Sequence, residues 1–276
     1  MGTLYLVATP IGNLEDMSPR AMRILRQVSL IAAEDTRQTQ KLLHHFDIST
    51  RLVSYFEHNK IARLDLILNR LMEGDVALVS DAGMPAINDP GYELVCAALA
   101  AGHQVCPIPG PSAPIAALAA SGLPTDAFLY LGYLPRKSAE RRAFLETVAG
   151  LPYTLIFLEV PHRLLASLSD LQAVLGNRTM AAARELTKLH EEIVRGPVSR
   201  VQAHFEHHEP RGEFVLVVSG KTGNREQWME EMLIQAIQSG LVAGEPPSKL
   251  AARLAGESGW TRREIYQQIQ SIKEKV

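Results

Sequence analysis

The sequence predicts an α/β protein: two α/β domains followed by a small helical tail. Three observations carry that expectation. Residues 1–122 alternate short apolar runs with amphipathic segments about five times, the pattern of a largely parallel sheet. The run Val76–Val79 is apolar without a break, as in a strand covered on both faces. Residues 225–276 carry helical patterning throughout.

Residues 4–8 read as the first strand, closed by Thr9-Pro10-Ile11-Gly12-Asn13. Ser18 caps the next helix and Pro19 opens it, and Ala21, Ile24, Leu25 and Val28 share one face. A second strand over 30–33 runs into Glu34-Asp35-Thr36-Arg37, with a helix over 38–45. Leu52, Val53 and Tyr55 mark a third strand, and 61–72 reads as an amphipathic helix ending at Gly74. After strand 76–79 come Asp81-Ala82-Gly83-Met84-Pro85 and then Asn88-Asp89-Pro90-Gly91, whose prolines and glycines exclude both strand and helix. This loop takes about eleven residues where such connections take roughly 2–6. A helix over 92–101 stops at Gly102. Strand 104–108 leads to the loop 109–114, and a small-residue helix over 115–121 ends at Gly122. Crossovers between parallel strands are right-handed, so loops 9–13, 34–37, 81–91 and 109–114 must open on one edge of the sheet. That is the carboxyl edge, where open α/β sheets bind ligands.

The second domain is expected over 123–222. An aromatic strand over 128–133 precedes Leu134-Pro135-Arg136-Lys137 and a helix from Ser138 that holds Arg141 and Arg142. A buried strand over 153–158 ends in Glu159-Val160-Pro161-His162-Arg163, and a helix over 164–175 stops at Gly176. Strand 180–183 leads into Arg184-Glu185-Leu186-Thr187-Lys188, with a hairpin partner over 191–194 and a last strand over 214–219. Residues 221–224 read as a linker. The tail, 223–276, reads as helices over 227–238, 248–255 and 261–273, with 256–259 separating the last two in helix-turn-helix form. Thr261 with Glu264 forms a capping box.

A net charge of −2 excludes a generally basic nucleic-acid coat, though not a local basic face. Cys96 and Cys106 read as small core residues of a reduced, intracellular protein. No apolar run reaches about 18 residues, and the first residues lack a basic-then-apolar leader, so a cytoplasmic location is expected. There is no Walker A sequence, no GxGxxG after the first strand, and no G-x-S-x-G around Ser80 or Ser112. His204, His207 and His208 read as a solvated turn rather than a metal site. What remains is a proline-stiffened rim rich in main-chain donors. It suits a ligand such as an adenosine with a carboxylate tail, with Gly83 allowing close approach.

The segments LYLVATPIGNLEDMSPRA, LIAAEDTR, VSDAGMPAINDPG, PIPGPSA, TLIFLEVPHRL, AARELTKLHEE and GEFVLVVSG follow one another in that order. Together they resemble the tetrapyrrole-methylase superfamily of class III, S-adenosylmethionine-dependent methyltransferases. Within it, TPIGN and SDAG are similar to the branch that modifies ribosomal RNA, where the cobalamin-pathway methylases carry GGDP. Met84 departs from that pattern, which has threonine there. The resemblance implies two α/β domains with S-adenosyl-L-methionine folded between them, S-adenosyl-L-homocysteine as product, a homodimer, and neither metal nor membrane. It also implies 2′-O-methylation of a cytidine in the decoding region of 16S ribosomal RNA, on RNA or the small subunit. Donor contacts are then expected at Pro10, Asp81, Gly83, Met84, Ser112, Ala113, Phe157 or Leu158, Arg184 and Glu213.

A ribose hydroxyl needs a base or an orienting acceptor. Asp35 is the candidate, with Asn13 and Arg37 orienting ribose and phosphate, and Lys188 and His162 as rivals. The alternative for 34–37 is a helix cap with a local ion pair. Arg136, Lys137, Arg141, Arg142 and the tail's basic residues are the candidate RNA face, or else a solvated helix surface. Two other functions stay open at this point: a tetrapyrrole C-methyltransferase, and a non-catalytic nucleoside- or RNA-binding module.

Overall fold

The computed structural model describes residues 2–221 and 228–274. The first half runs Thr3–Val7 (β1), Pro19–Gln27 (α1), Leu30–Ala33 (β2), Thr36–His45 (α2), Leu52–Ser54 (β3), Lys60–Glu73 (α3), Val76–Val79 (β4), Tyr92–Ala100 (α4), Gln104–Ile108 (β5) and Ala113–Ser121 (α5). Local chemistry sets the boundaries. The Ser18 hydroxyl accepts from the Ala21 amide at 3.1 Å and Pro19 fills the first turn of α1, while Gly122 closes α5 in the left-handed region at φ 79°.

The five strands form one sheet in the order β3-β2-β4-β1-β5, and every pairing is parallel. Its central strands alternate between two cores. Ala77, Val79, Ile31 and Ala33 face one side with Leu25 and Leu43, and Val76, Leu78, Leu30 and Ala32 face the other with Ile67 and Leu94. The unbroken apolar run at 76–79 follows from this double covering.

The second half runs Phe128–Tyr133 (β6), Ser138–Val148 (α6), Thr154–Glu159 (β7), Leu164–Leu175 (α7), Thr179–Arg184 (β8), Glu192–Pro197 (β9), Val198–His207 (α8) and Phe214–Val218 (β10). Its sheet has the order β6-β7-β10-β8-β9, and only β6 and β7 run parallel. The hairpin partner of β8 is present as β9. Both sheets lie in one compact unit, 1–149 with 153–219.

Three expectations need correction. His204 and His207 lie on α8, not in a turn. Val198, Val201 and Phe205 give that helix a buried stripe, which the Glu/His-rich run 204–209 hides in the sequence. His204 Nε2 meets a Glu192 oxygen at 2.9 Å, and its ring stacks on His208 with centroids 4.3 Å apart. Cys96 is exposed and Cys106 partly buried. Cys96 lies on the solvent side of α4, whose inward positions are Leu94 and Ala98, and β5 is an edge strand. Finally, Arg141 is not available to RNA. It is buried on α6, with Nε 2.8 Å from Asp170 and Nη1 donating to the Pro135 and Arg136 carbonyls at 3.1 and 3.2 Å. Arg142 pairs with the same carboxylate but stays half-exposed, and Arg136 and Lys137 are exposed.

The second unit joins 150–152 to the tail. Glu230–Val242 (α9), Pro247–Ser258 (α10) and Arg262–Glu274 (α11) enclose Leu233, Ile237, Leu250, Leu254, Ile265 and Ile269. The linker residues 222–224 and the expected helix start at Gln227 lie outside the described residues. Helix α10 continues through 256–258, so the turn is shorter than expected and is made at Gly259, φ 73°. The Thr261 hydroxyl accepts from the Glu264 amide at 3.2 Å while Glu264 takes the Thr261 amide at 2.9 Å, which completes the capping box.

Asp170→Ala strands the Arg141 charge at a site that is 3% exposed. Urea denaturation of this variant is expected to show a loss of about 3–5 kcal/mol. A loss near zero would mean that water reaches Arg141.

Candidate functional site

All strands of the first sheet point the same way, so the loops after β1, β2, β4 and β5 meet at its carboxyl edge. Hydrogen bonds stitch three of them together. Thr9 and Gly83 exchange main-chain bonds of 2.9 and 3.0 Å, and the Thr9 hydroxyl donates to the Ser80 carbonyl at 3.1 Å. The Asp35 amide donates to Asp81 Oδ1 at 3.1 Å, and the Asp81 amide to Glu34 Oε2 at 3.4 Å. Gly83 is required here by its φ of 83°. An added Cβ would meet Ile11 and Pro111 only at ordinary distances of 3.6 and 3.7 Å, so space is not the reason.

A cleft of about 190 Å³ opens beside this rim. The first half contributes Gly83, Met84, Asn88 and Asp89 from the β4–α4 loop and Ser112 and Ala113 at the start of α5. The second half contributes Tyr130 and Tyr133 from β6, Leu158 from β7, Glu185 and Lys188 after β8, and Glu213 with Val215. Of the expected donor contacts, Gly83, Met84, Ser112, Ala113, Leu158 and Glu213 therefore lie together. Pro10 and Asp81 line a neighbouring cavity instead.

Phe157 and Arg184 are not brought into the cleft, because strand alternation turns them to the other face. Phe157 is fully buried against Phe144 at 6.5 Å, while its neighbour Leu158 faces the cleft. Arg184 pairs with Glu192 at 2.6 Å and lies 6.0 Å over the Phe205 ring, while Ala183 lines the cleft.

The candidate catalytic residues are committed to local structure. Asn13 Oδ1 accepts from the Glu15 amide at 3.1 Å. Asp35 caps α2 and accepts from Arg37 three times: the amide at 2.8 Å, Nε at 3.1 Å and Nη2 at 2.7 Å. The Arg37 side chain and amide pull its carboxyl down to about 2. The cap-with-ion-pair arrangement is thus what 34–37 adopts. Lys188 Nζ pairs with Glu185 at 2.8 Å on the cleft wall, whereas His162 is exposed in a short turn outside it.

Sequence reasoning missed several lining groups. Burial, with Asp81 and Glu213 nearby, pushes Asp89 up to about 6 against the opposing Ser80 hydroxyl. Burial chiefly holds the Tyr130 and Tyr133 phenols at about 12, so both stay neutral. Asp81 and Glu34 are also raised, mainly by burial. Asp89 stood in plain view in NDPG, but its neighbours did not.

The loops that wall the cleft carry unusual backbone. Ala86, Asn88, Glu185 and Thr187 all have positive φ, between 51° and 67°, although none is glycine. Each is locked from outside. Asn88 seats on Gly132, where a Cβ would stand 2.5 Å from its Nδ2, and Thr187 packs on Gly12, where a Cβ would stand 2.9 Å from its Oγ1; Ala86 lies against Gly91 and Glu185 against Gly212 in the same way. These walls fit an adenosyl amino acid: flat aromatic surfaces for the base, acidic groups for cationic atoms, and a helix start whose Ser112 makes no capping bond, leaving amides for a carboxylate.

Residues 3–202 match the family model for Tetrapyrrole (Corrin/Porphyrin) Methylases. The chain is 48% identical over 270 residues to a Ribosomal RNA small subunit methyltransferase I of Halalkalibacterium halodurans, spanning 96% of this chain and 93% of that one. It is 49% identical over 261 residues to one of Escherichia coli O157:H7, spanning 93% and 90%. Among solved structures, uroporphyrin III C-methyl transferase from Thermus thermophilus aligns with TM-score 0.56 at 21% identity over 79% of this chain and 97% of that one. A diphthine synthase aligns with TM-score 0.61 at 14% identity over 80% and 91%. These two likenesses concern the fold.

Because the fold favours protonated Asp89, its stabilising contribution is full below the ordinary value of 3.8 and is lost as pH rises through about 6. Asp89→Asn cannot ionise, so it is expected to melt above wild type at pH of about 8, with the advantage shrinking to nothing near pH 4. Paired thermal melts across that range check it. A constant difference would show that Asp89 titrates normally.

Proposed function

The chain belongs to the tetrapyrrole methylase family and is a ribosomal RNA methyltransferase, and from that premise we propose that it uses S-adenosyl-L-methionine to methylate the ribose 2′-oxygen of a cytidine in the decoding region of 16S ribosomal RNA. The observation that carries this reading is the adjacency of two differently built spaces. One is a partly aromatic cleft suited to the donor. The other lies beside the Asp35–Arg37 pair and Asp81, groups suited to a ribose and its phosphate.

When bound, the donor would supply a methyl carbon activated by a sulfonium, to which the ribose oxygen bonds in line as the carbon–sulfur bond breaks and a neutral thioether leaves. The chain's own residues align and shield. Tyr130, Tyr133 and Leu158 exclude water from one side. The first turn of α5 takes the carboxylate, while Asp89 and Glu213 face the cationic atoms. Such positioning can supply roughly 7–11 kcal/mol.

As the new oxygen–carbon bond forms, the hydroxyl becomes a strong acid, so a carboxylate suffices to accept its proton. Asp35 is poorly suited, since its oxygens are occupied by Arg37 and its basicity is low. Asp81, raised by burial and lining the neighbouring cavity, takes the proton, and Asp35 holds Arg37 toward the RNA phosphate. Exposed Arg136, Lys137 and Arg142 extend the phosphate contacts. A homodimer and a cytoplasmic location belong to the same reading, supported by the family resemblance. Among the described residues no helix is long and apolar enough to cross a membrane.

Incubation with methyl-labelled donor and undermethylated small subunits is expected to label RNA at a ribose. Label on a tetrapyrrole instead, or on nothing, would reject the proposal. Arg37→Ala and Asp81→Asn are each expected to cut turnover on the order of 100-fold while calorimetric donor affinity moves by less than about threefold. Near-normal turnover in both would remove their roles.

A further inference from the structure

The neighbouring cavity, about 380 Å³, shares two walls with the donor cleft, Ile11 and Ala82. Its size falls within the roughly 300–1,000 Å³ of small-molecule pockets. Gln38, Thr39, Lys41 and Leu42 of α2 line it together with the Thr9–Gly12 loop. A methyl acceptor has to reach the donor through a space contiguous with the cleft, and this cavity is such a space.

We propose that the cavity receives the target nucleoside turned out of the RNA stack, and that Gln38 reads its base. This rests on the function proposed above and assigns the acceptor subsite within it. Gln38 Oε1 accepts from Lys41 Nζ at 3.3 Å. An ammonium only donates, so the amide oxygen is turned toward Lys41 and the NH2 group away from it. A glutamine oriented in this way presents donors. Its complement is a base edge with adjacent acceptors, as cytosine offers at N3 and O2. Uracil carries a hydrogen at N3 and opposes it.

The remaining surface is consistent with such a guest. Ile11, Leu14 and Leu42 offer apolar area to a base face, and Asp81 stands at the side shared with the donor cleft. Lys41 and the exposed Arg37 supply positive charge for the flanking phosphates. Enzymes that act on a nucleotide in this way take it out of the stack and hold it in a fitted pocket.

The test compares Gln38→Ala, Gln38→Glu and Leu14→Trp with wild type on undermethylated subunits carrying cytidine or uridine at the target. Donor affinity by calorimetry within about twofold of wild type shows that each variant is folded and that the donor cleft is intact. Gln38→Ala is expected to raise KM for the cytidine substrate roughly tenfold and to narrow the cytidine-to-uridine preference by a similar factor. Gln38→Glu, which keeps the Lys41 partner but presents only acceptors, is expected to lose more. Leu14→Trp fills the cavity and is expected to abolish transfer. Wild-type KM and base preference in both Gln38 variants, or full activity in Leu14→Trp, would overturn this assignment and leave the methyltransferase reading standing. Wild type that labels no RNA would overturn both.

Discussion

The paired main-chain hydrogen bonds between Thr9 and Gly83 are the contact on which the rest of the site depends. A parallel sheet delivers its loops to one edge but does not by itself fix how far they reach or which way they turn. The Thr9–Gly83 pair joins the loops after β1 and β4, and the Thr9 hydroxyl adds Ser80. Asp81 then stands where the Asp35 amide can reach it, which brings in the loop after β2. One two-residue bridge therefore sets the relative position of the cleft, the ion pair and the neighbouring cavity. It can form only because residue 83 tolerates a left-handed backbone.

The walls contributed by the second sheet are held by close approach as well as by hydrogen bonds such as that from Lys188 to Glu185. Asn88 on Gly132 and Thr187 on Gly12 are contacts in which a missing methyl group on one side admits a strained residue on the other. Left-handed backbone at a non-glycine residue costs on the order of 1–3 kcal/mol and persists only where its surroundings over-determine it. Four such residues flank the cleft or its rim. Met84, where the family pattern has threonine, sits among them and lines the cleft.

The alternation of strand and helix over residues 1–122 was legible because apolar periodicity and the Ser18-Pro19, Gly74 and Gly122 signals all agree. The shared rim followed from handedness alone. Helix α8 was not legible, since its three inward residues are diluted by histidines and glutamates. Nor were Phe157 and Arg184. A residue-by-residue transfer from a family places a position in a strand, but a shift of one residue changes which face it occupies, and only the register of β7 and β8 against β10 decides that. Tyr130 and Tyr133 escaped for a related reason: an irregularity in the β6–β7 pairing between them lets both reach the same cleft despite their odd spacing. Arg141 looked like a surface cation because Asp170, its partner, lies on another helix.

The acidic character of the cleft bears on turnover as well as on binding. A sulfonium carries a positive charge that the thioether left after transfer lacks. Above the Asp89 pKa of about 6, a wall bearing Asp89 and Glu213 is attracted to that charge before transfer and loses the attraction afterwards. If the cleft takes the donor as proposed above, the spent molecule is then the weaker ligand at this wall, and the same charges that draw in the methyl source favour its exchange.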